Sequence, residues 1–180
     1  GCICGVLDAA ARARGCEVIV VADYPVETFR DRWPGVTWIH YPHRGIPHKR
    51  NEGLRRARGA LAGFTDDDCL PEPDWIESAL DWLERHPDHA GVEGRTRVET
   101  GVPGGGYREA SRLERRGYRT NNIFYRRAIL DRAGLFDERF AFQHEDADLA
   151  WTIQESGYDI GYCESCIVQH RLRTRERSEE

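Results

Sequence analysis

Segments with strand and helix patterns alternate along the first half of the chain. A run of β-branched residues at 17–22 (EVIVVA) predicts a strand covered on both faces, and further strands are predicted at 36–41 and 60–65. Helices are predicted at 6–14, ending before a glycine, and at 48–58, opened by a proline. This alternation predicts an α/β domain with a mostly parallel sheet flanked by helices.

The second half continues the same alternation. An apolar face recurring at helical spacing predicts a helix that starts near residues 71–75. The other predicted elements are strands at 90–98, 121–125 and 158–169, and helices at 126–133 and 144–156. Ligands of open α/β sheets bind beyond the carboxyl ends of strands. Asp23 and the Asp66–Asp68 triplet both follow predicted strands, so we expect a ligand near them.

Composition narrows the class of protein. The 180 residues are 39% hydrophobic and 32% charged, which predicts one globular domain over residues 1–180. No apolar run is long enough for a transmembrane segment, and a net charge of −5 argues against a nucleic-acid partner. Six dispersed cysteines are not typical of a secreted disulfide framework, so we expect a reduced, cytoplasmic location. Because the chain lacks methionine, we do not expect its first residue to be a native start.

Three consecutive carboxylates at a strand end repel one another unless a cation neutralises them. Alternate residues of an extended segment point the same way, so Asp66 and Asp68 are expected to face one ligand while Asp67 faces away. Oxygen ligands suit hard divalent cations such as Mn²⁺ or Mg²⁺. The alternative is a solvated turn in which Asp68 caps the following helix.

Several short motifs follow one another in a recognisable order. They are HRGIPHKRNEG at 43–53, ARGALAGFTDDD at 57–68, PEPDW at 71–75, NIFYRR at 122–127, GLFD at 134–137, HEDADL at 144–149, GY at 157–158 and VQH at 168–170. This order resembles the GT-A-fold glycosyltransferases of family 2. The resemblance implies a GT-A-like, Rossmann-type fold with a nucleotide-sugar half at 1–98, an acceptor half at 99–170 and a charged tail at 171–180.

The resemblance implies metal-dependent transfer of a sugar from a nucleoside-diphosphate donor to a hydroxyl acceptor, with inversion. Asp66 and Asp68 resemble the DxD pair, with Asp66 toward the donor ribose and metal and Asp68 on the metal itself. Asp67 belongs to the same donor segment. Asp23 and Arg50 resemble the residues that contact the nucleotide.

The resemblance also assigns residues in the second half. Asp146, in the Glu145–Asp146 pair, resembles the general base, and both acids are candidate catalytic residues. His170 stands where a further metal ligand is found. The acceptor is expected to be a sugar, a lipid-linked group or a small molecule, and peripheral membrane association is compatible with the sequence. We expect acceptor contacts from residues 99–119.

The sequence also departs from the family pattern. The usual first strand is not seen, because residues 1–15 resemble the helix that follows it, and Ala22-Asp23 replaces a pair of acids. One alternative is therefore a degenerate domain that binds nucleotide sugars without turnover.

Two further alternatives concern other chemistry. A zinc or thiol-redox domain would use the CxC of Cys2 and Cys4 and the CxxC of Cys163 and Cys166. A sugar nucleotidyltransferase would need a glycine-rich N-terminal loop with a following lysine, which the sequence does not show.

Overall fold

A computed structural model describes residues 2–13, 15–42, 45–98, 112–140 and 143–171. The described helices are α1 (Cys2–Arg12), α2 (Glu27–Arg32), α3 (Ile46–Arg56), α4 (Trp75–Arg85), α5 (Arg127–Ala133) and α6 (Glu145–Glu155). The described strands are β1 (Val18–Ala22), β2 (Val36–His40), β3 (Leu61–Phe64), β4 (Cys69–Pro71), β5 (His89–Val98), β6 (Ile123–Arg126) and β7 (Asp159–His170). The predicted elements are confirmed to within a few residues at their ends.

Five strands form the larger sheet, in the order β3-β6-β5-β7-β4. β5 and β7 run parallel, whereas β6 is antiparallel to β3 and β5, and β4 is antiparallel to β7. β1 and β2 form a separate parallel pair. The sheets are therefore more mixed in direction than the alternation of elements predicted.

Helices cover both faces of the five-stranded sheet. Successive β6 residues point to opposite faces, as the pleat requires: Phe124 packs with α1 and α4, while Ile123 and Tyr125 pack with α5 and α6. α4 buries Trp75, Ile76, Ala79 and Leu83 against the first face. This is the apolar face that the sequence predicted for the helix.

The acidic triplet lies where the sheet curls. β3 and β4 occupy opposite edges, yet only residues 65–68 connect them. Four strand spacings measure about 19 Å across a flat sheet, more than five extended peptide steps of about 3.4 Å can span. A backbone hydrogen bond from Cys69 N to the Asp66 carbonyl (3.1 Å) shortens the connection further. The sheet must therefore bend, and Asp66–Asp68 fill the turn between its two edges.

Two short elements were not predicted, and one predicted strand is mostly half-buried. α2 has six residues, too few for a helical period to stand out, and β4 has three and is defined by its pairing with β7. β1 keeps four of its five residues only half-buried, because among the described strands it pairs with β2 alone. Helices nevertheless lie on both faces of β1, as predicted: Val18 and Val20 pack with α1, and Gly53 of α3 lies against Val21.

A fully buried asparagine, Asn122, forms hydrogen bonds that connect β5, β7 and α4. Asn122 accepts a hydrogen bond from Trp75 Nε1 (2.8 Å) and donates to the carbonyls of Arg95 and Cys166 (3.0 Å each). Gly94 lies beside it, at a register shift between β5 and β7. A Cβ on Gly94 would lie 2.3 Å from the Cys166 carbonyl oxygen and 2.5 Å from the Asn122 amide.

We expect Gly94→Ala to lower the free energy of unfolding by at least about 2 kcal/mol, because the added methyl group meets backbone that cannot move away. Chemical denaturation measures the change. Gly35→Ala is the matched control, since a Cβ there meets nothing within 4 Å, and its effect should stay within about 0.5 kcal/mol. Equal effects in the two variants would contradict this packing.

Candidate functional site

Pairing of β4 with β7 brings His170 to the acidic turn. Cys69 and His170 are opposite each other in that ladder, and Arg171 N donates to the Asp68 carbonyl (3.0 Å). As a result His170 Nε2 lies 3.5 Å from Asp68 Oδ1. Asp68 does not cap α4, because β4 separates the two and Asp74 stands at the helix N-terminus. The capping alternative was wrong.

The residues of this turn fit a divalent cation. The Asp66 side chain is 43% exposed and that of Asp68 is 23% exposed, so both carboxylates can be reached from solvent. The ring Nδ1 of His170 is buried and has no hydrogen-bond partner. Two carboxylates and an imidazole are ligands that Mn²⁺ and Mg²⁺ accept. Of the predicted metal set of Asp66, Asp68 and His170, the structure brings Asp68 and His170 together, whereas Asp66 lies outside the described group of ligand atoms within 4.8 Å of one another. The metal-binding roles of all three residues stay predictions.

The pKa of the Asp66 carboxyl lies above its ordinary value, although the side chain keeps contact with solvent. The protein around the carboxyl withdraws water, which raises its pKa above the ordinary value. Arg50 opposes the rise, and the neighbouring Asp68 adds to it. A bound cation would relieve both the lost hydration and the repulsion.

Arg50 connects the acidic turn to α6. Its Nη2 lies 3.7 Å from Asp66 Oδ1, and its Nη1 donates to Glu145 Oε1. Its guanidinium also stacks over the Phe136 ring, 5.5 Å from the centroid. Glu145 is 4% exposed, and its other oxygen, Oε2, is buried without a hydrogen-bond partner. Residues of α3, the β3–β4 turn and α6 thus share one electrostatic cluster.

Removing Arg50 should destabilise the chain strongly, because Glu145 would keep a buried charge with no counter-ion. We expect Arg50→Ala to lower the free energy of unfolding by about 3–5 kcal/mol. The matched control is Arg56→Ala on the same helix, where the exposed pair with Glu52 (3.2 Å) is worth about 0.5 kcal/mol. Denaturant unfolding compares the two variants, and a loss in Arg50→Ala no larger than in Arg56→Ala would refute the role of this pair.

Asp146 follows Glu145 in the first turn of α6. It is half-buried, and its Oδ1 accepts a hydrogen bond from Ala147 N (2.8 Å). Tyr125 lies near it: burial raises the pKa of this hydroxyl well above its usual range, and the charges of Glu93 and Asp146 add to the rise. Glu145 is engaged by Arg50, whereas the described contacts leave Asp146 open to other partners.

The remaining predicted donor residues lie around this cluster. Asp23 follows β1, and its Oδ2 accepts a hydrogen bond from Lys49 Nζ (3.0 Å). Lys49 is the residue that precedes Arg50 in α3. Asp67 is exposed, as expected for the residue that faces away from its two neighbours. Arg50 thus contacts both Asp66 and Glu145, and His170 contacts Asp68, two residues after Asp66 in the same turn. Asp23 is connected to this region through Lys49 of α3.

Two thiols lie at the acidic turn: Cys69 was not among the predicted site residues, and Cys2 was considered only for the alternative zinc or thiol domain. Cys69 Sγ lies 3.9 Å from Asp68 Oδ1, and Cys2 Sγ donates to the Asp66 carbonyl (3.1 Å). Burial and then the three aspartates raise the pKa of Cys2 to about 11, so this thiol is protonated at neutral pH. Cys69 directly follows the triplet, but only the β4–β7 pairing shows that it faces His170.

The CxxC thiols take no part in a metal cluster within the described ranges. Cys163 and Cys166 are buried in β7, and their Sγ atoms donate to the carbonyls of Ser78 (3.7 Å) and Trp75 (3.4 Å). Asp68, Cys69 and His170 are the one group of three or more ligand residues found there. Residues 101–106, the glycine-rich part of the expected acceptor region, and the tail beyond Arg171 lie outside the described residues.

Comparison with known proteins agrees with this geometry. A family model described as glycosyl transferase family 2 matches residues 1–142. The chain is 31% identical to a pre-mycofactocin glycosyltransferase of Mycobacterium tuberculosis, over 91% of this chain and 39% of that protein. It is 40% identical over 52 residues to a glucosyl-dolichyl phosphate glucuronosyltransferase of Haloferax volcanii, which is 29% of this chain and 17% of the relative. The chain thus spans well under half of either relative.

Solved structures share the fold. A mannosyltransferase from Pyrobaculum calidifontis in complex with GDP-Man and Mn²⁺ matches 97% of this chain and 53% of its own, with a TM-score of 0.73 and 20% identity. GalNAc-T7 with UDP, GalNAc and Mn²⁺ matches 96% of this chain and 40% of its own, with a TM-score of 0.74 and 15% identity. The predicted α/β GT-A fold is confirmed. None of the described helices combines the length and apolar character needed to cross a membrane.

Proposed function

Because the chain belongs to glycosyl transferase family 2, we propose that it transfers a sugar from a nucleoside-diphosphate donor to a hydroxyl acceptor. The observation that carries the proposal is the cluster of Asp66, Asp68, His170 and Arg50 where the curled sheet closes. Mn²⁺ in the two structural neighbours supports a divalent metal. GDP-Man in one of them, and UDP with GalNAc in the other, support a nucleotide-sugar donor.

We assign the metal to Asp68, with Asp66 and His170 beside it. A divalent cation at these residues would neutralise the charge that develops on the departing diphosphate. Either Mn²⁺ or Mg²⁺ suits the carboxylates. Asp66 is assigned toward the donor ribose as well as the metal, and the exposed Asp67 belongs to the same donor-binding segment.

The nucleotide is assigned to the side of the cluster formed by α3 and the end of β1. The Arg50 guanidinium is held by Glu145. Asp23 accepts a hydrogen bond from Lys49, the residue that precedes Arg50 in α3. A fixed guanidinium makes paired hydrogen bonds to diphosphate oxygens. Asp23 would accept hydrogen bonds from the base or the ribose.

Asp146 is assigned as the general base that accepts the proton of the acceptor hydroxyl. A carboxylate within hydrogen-bond reach of that hydroxyl takes its proton as the new bond forms, and direct displacement at the anomeric carbon inverts the configuration. Glu145 is the weaker candidate for this role, because Arg50 already occupies its carboxylate. We therefore treat Glu145 as a positioning residue that orients Arg50.

The acceptor is proposed as a sugar, a lipid-linked group or a small molecule. The name of the Haloferax relative, which includes a dolichyl phosphate, supports a lipid-linked acceptor. Such an acceptor would bring the protein to a membrane surface. The cytoplasmic location stays a prediction.

Release of nucleoside diphosphate from a panel of nucleotide sugars, with Mn²⁺ and candidate hydroxyl acceptors, tests the proposal. We expect nucleoside diphosphate to be released from one class of donor. The release should depend on the metal and should be faster when the correct acceptor is present. Donors that bind but are never turned over would favour the alternative of a degenerate nucleotide-sugar-binding domain.

A further inference from the structure

Beside the carboxylate of Asp68 and the imidazole of His170 lies a thiol, that of Cys69. Asp68 Oδ1, Cys69 Sγ and a ring nitrogen of His170 all lie within 4.8 Å of one another. Two of the separations are 3.9 Å, from Cys69 Sγ to Asp68 Oδ1, and 3.5 Å, from His170 Nε2 to the same oxygen. One oxygen, one sulfur and one nitrogen therefore lie close enough together to bind one metal ion.

These separations are close to those of a tetrahedral zinc site. With Zn–S near 2.3 Å and Zn–N and Zn–O near 2.0–2.2 Å, tetrahedral angles put pairs of ligand atoms about 3.3–3.6 Å apart. The two separations that involve Asp68 Oδ1 are within a few tenths of an ångström of that spacing, and the third, between Cys69 Sγ and the His170 ring nitrogen, is under 4.8 Å. A site with three protein ligands keeps a fourth position open for solvent or another ligand.

The backbone already fixes the positions of the three residues. Cys69 and His170 are partners in the β4–β7 ladder, and the Asp68 carbonyl accepts from Arg171 N. Cys69 is 1% exposed and the His170 side chain 13%, so neighbouring residues restrict both side chains. Binding would need little reorganisation of the chain.

The Cys69 thiol changes which metal ion Asp68, Cys69 and His170 together prefer. Oxygen ligands suit Mn²⁺ and Mg²⁺, whereas a thiolate with an imidazole favours Zn²⁺ and other thiophilic ions. We propose that Asp68, Cys69 and His170 bind Zn²⁺, and that zinc held there excludes the hard cation of the transfer reaction. The binding follows from the ligand geometry, and the competition rests on the proposed function. On binding, the Cys69 S–H bond breaks, a Zn–S bond forms and the proton passes to solvent.

The first test measures zinc and cadmium binding to the metal-stripped chain. We expect one Zn²⁺ per chain by competition with a chromophoric chelator, release of a proton, and a cadmium–thiolate absorption band from one thiolate. Loss of a residue that merely supports a metal ligand lowers affinity 10–100-fold, so Cys69→Ala should weaken zinc binding by at least about 100-fold. Cys4→Ser, which changes an exposed thiol, is the control and should keep the wild-type affinity.

Cys69 also lies in the apolar core with Trp75 and Val168, so the fold of its variants must be checked. Thermal unfolding in chelator compares Cys69→Ala with Cys69→Ser, and the cadmium band of the wild-type chain needs no variant at all. Absence of zinc binding in the wild type, or equal affinity in wild type and a folded Cys69 variant, would overturn the inference.

The competition has its own measurement. We expect Zn²⁺ to lower Mn²⁺-dependent nucleotide binding by the wild-type chain. If manganese and nucleotide bind but zinc does not, this inference fails and the proposed function stands. If zinc binds and no nucleotide does, the metal site stands and the proposed function fails.

Discussion

Asp146→Asn should lower the rate of sugar transfer by about 10²–10⁴-fold, the usual contribution of a general base. The amide keeps the size of the carboxylate but cannot accept the proton of the acceptor hydroxyl. Nucleotide binding should stay near the wild-type value, because the described hydrogen bond of Asp146 is accepted from Ala147 N and does not involve Asp66, Asp68 or Arg50. Steady-state transfer rates and a separate nucleotide titration measure the two effects.

Asp148→Asn is the matched control for this variant. Asp148 lies on the same helix, two residues further on, and has no assigned part in transfer. Its variant should keep the wild-type rate. Transfer by Asp146→Asn at the wild-type rate would show that another group accepts the proton.

Asp68→Ala should remove the metal-dependent part of nucleotide binding. The Asp68 carboxylate lies 3.5 Å from His170 Nε2. Loss of a metal ligand should lower the affinity for the metal by at least about 100-fold. Nucleotide affinity in Mn²⁺ should then fall to the value measured in chelator. Titration calorimetry with the preferred nucleoside diphosphate, with and without Mn²⁺, gives both affinities.

Asp88→Asn provides the comparison, because Asp88 is an exposed acid in the turn between α4 and β5. It should bind metal and nucleotide like the wild type. Thermal unfolding in chelator checks that Asp68→Ala is folded. Unchanged binding in a folded Asp68→Ala chain with Mn²⁺ present would rule out the metal site as assigned.

Much of the fold could be predicted because local pattern and packing agree. The helical spacing of Trp75, Ile76, Ala79 and Leu83 predicted α4, and these residues are its buried face. The β-branched run before Asp23 predicted β1 in the same way. Such segments carry their own periodicity, so no distant part of the chain is needed to recognise them.

Strand direction and partners could not be predicted from local pattern. β4 has three residues and is defined by a ladder with β7, about one hundred positions later in the chain. β6 is antiparallel to both of its neighbours, a choice set by tertiary packing and not by its four residues. The curl that brings both edges to the acidic turn follows from these pairings.

The candidate site shows the same division. Asp66, Asp68 and Asp146 could be proposed as site residues because carboxylates after a strand or at a helix start stand out in a familiar order of motifs. The burial of Glu145 against Arg50 and the position of Cys69 beside His170 depend on contacts between distant segments. A cysteine in an apolar strand carries no sign of a ligand in its sequence.

Thermal unfolding with a panel of nucleoside diphosphates, with and without Mn²⁺, tests the central claim most directly. The claim is that metal and nucleotide bind together at the turn of Asp66 and Asp68. A ligand at 100 times its dissociation constant stabilises the folded chain by about 2.7 kcal/mol, or roughly 5–10 °C for a domain of this size. We expect that shift for one nucleotide and only when Mn²⁺ is present. No shift with any nucleotide, or an equal shift in chelator, would contradict the account.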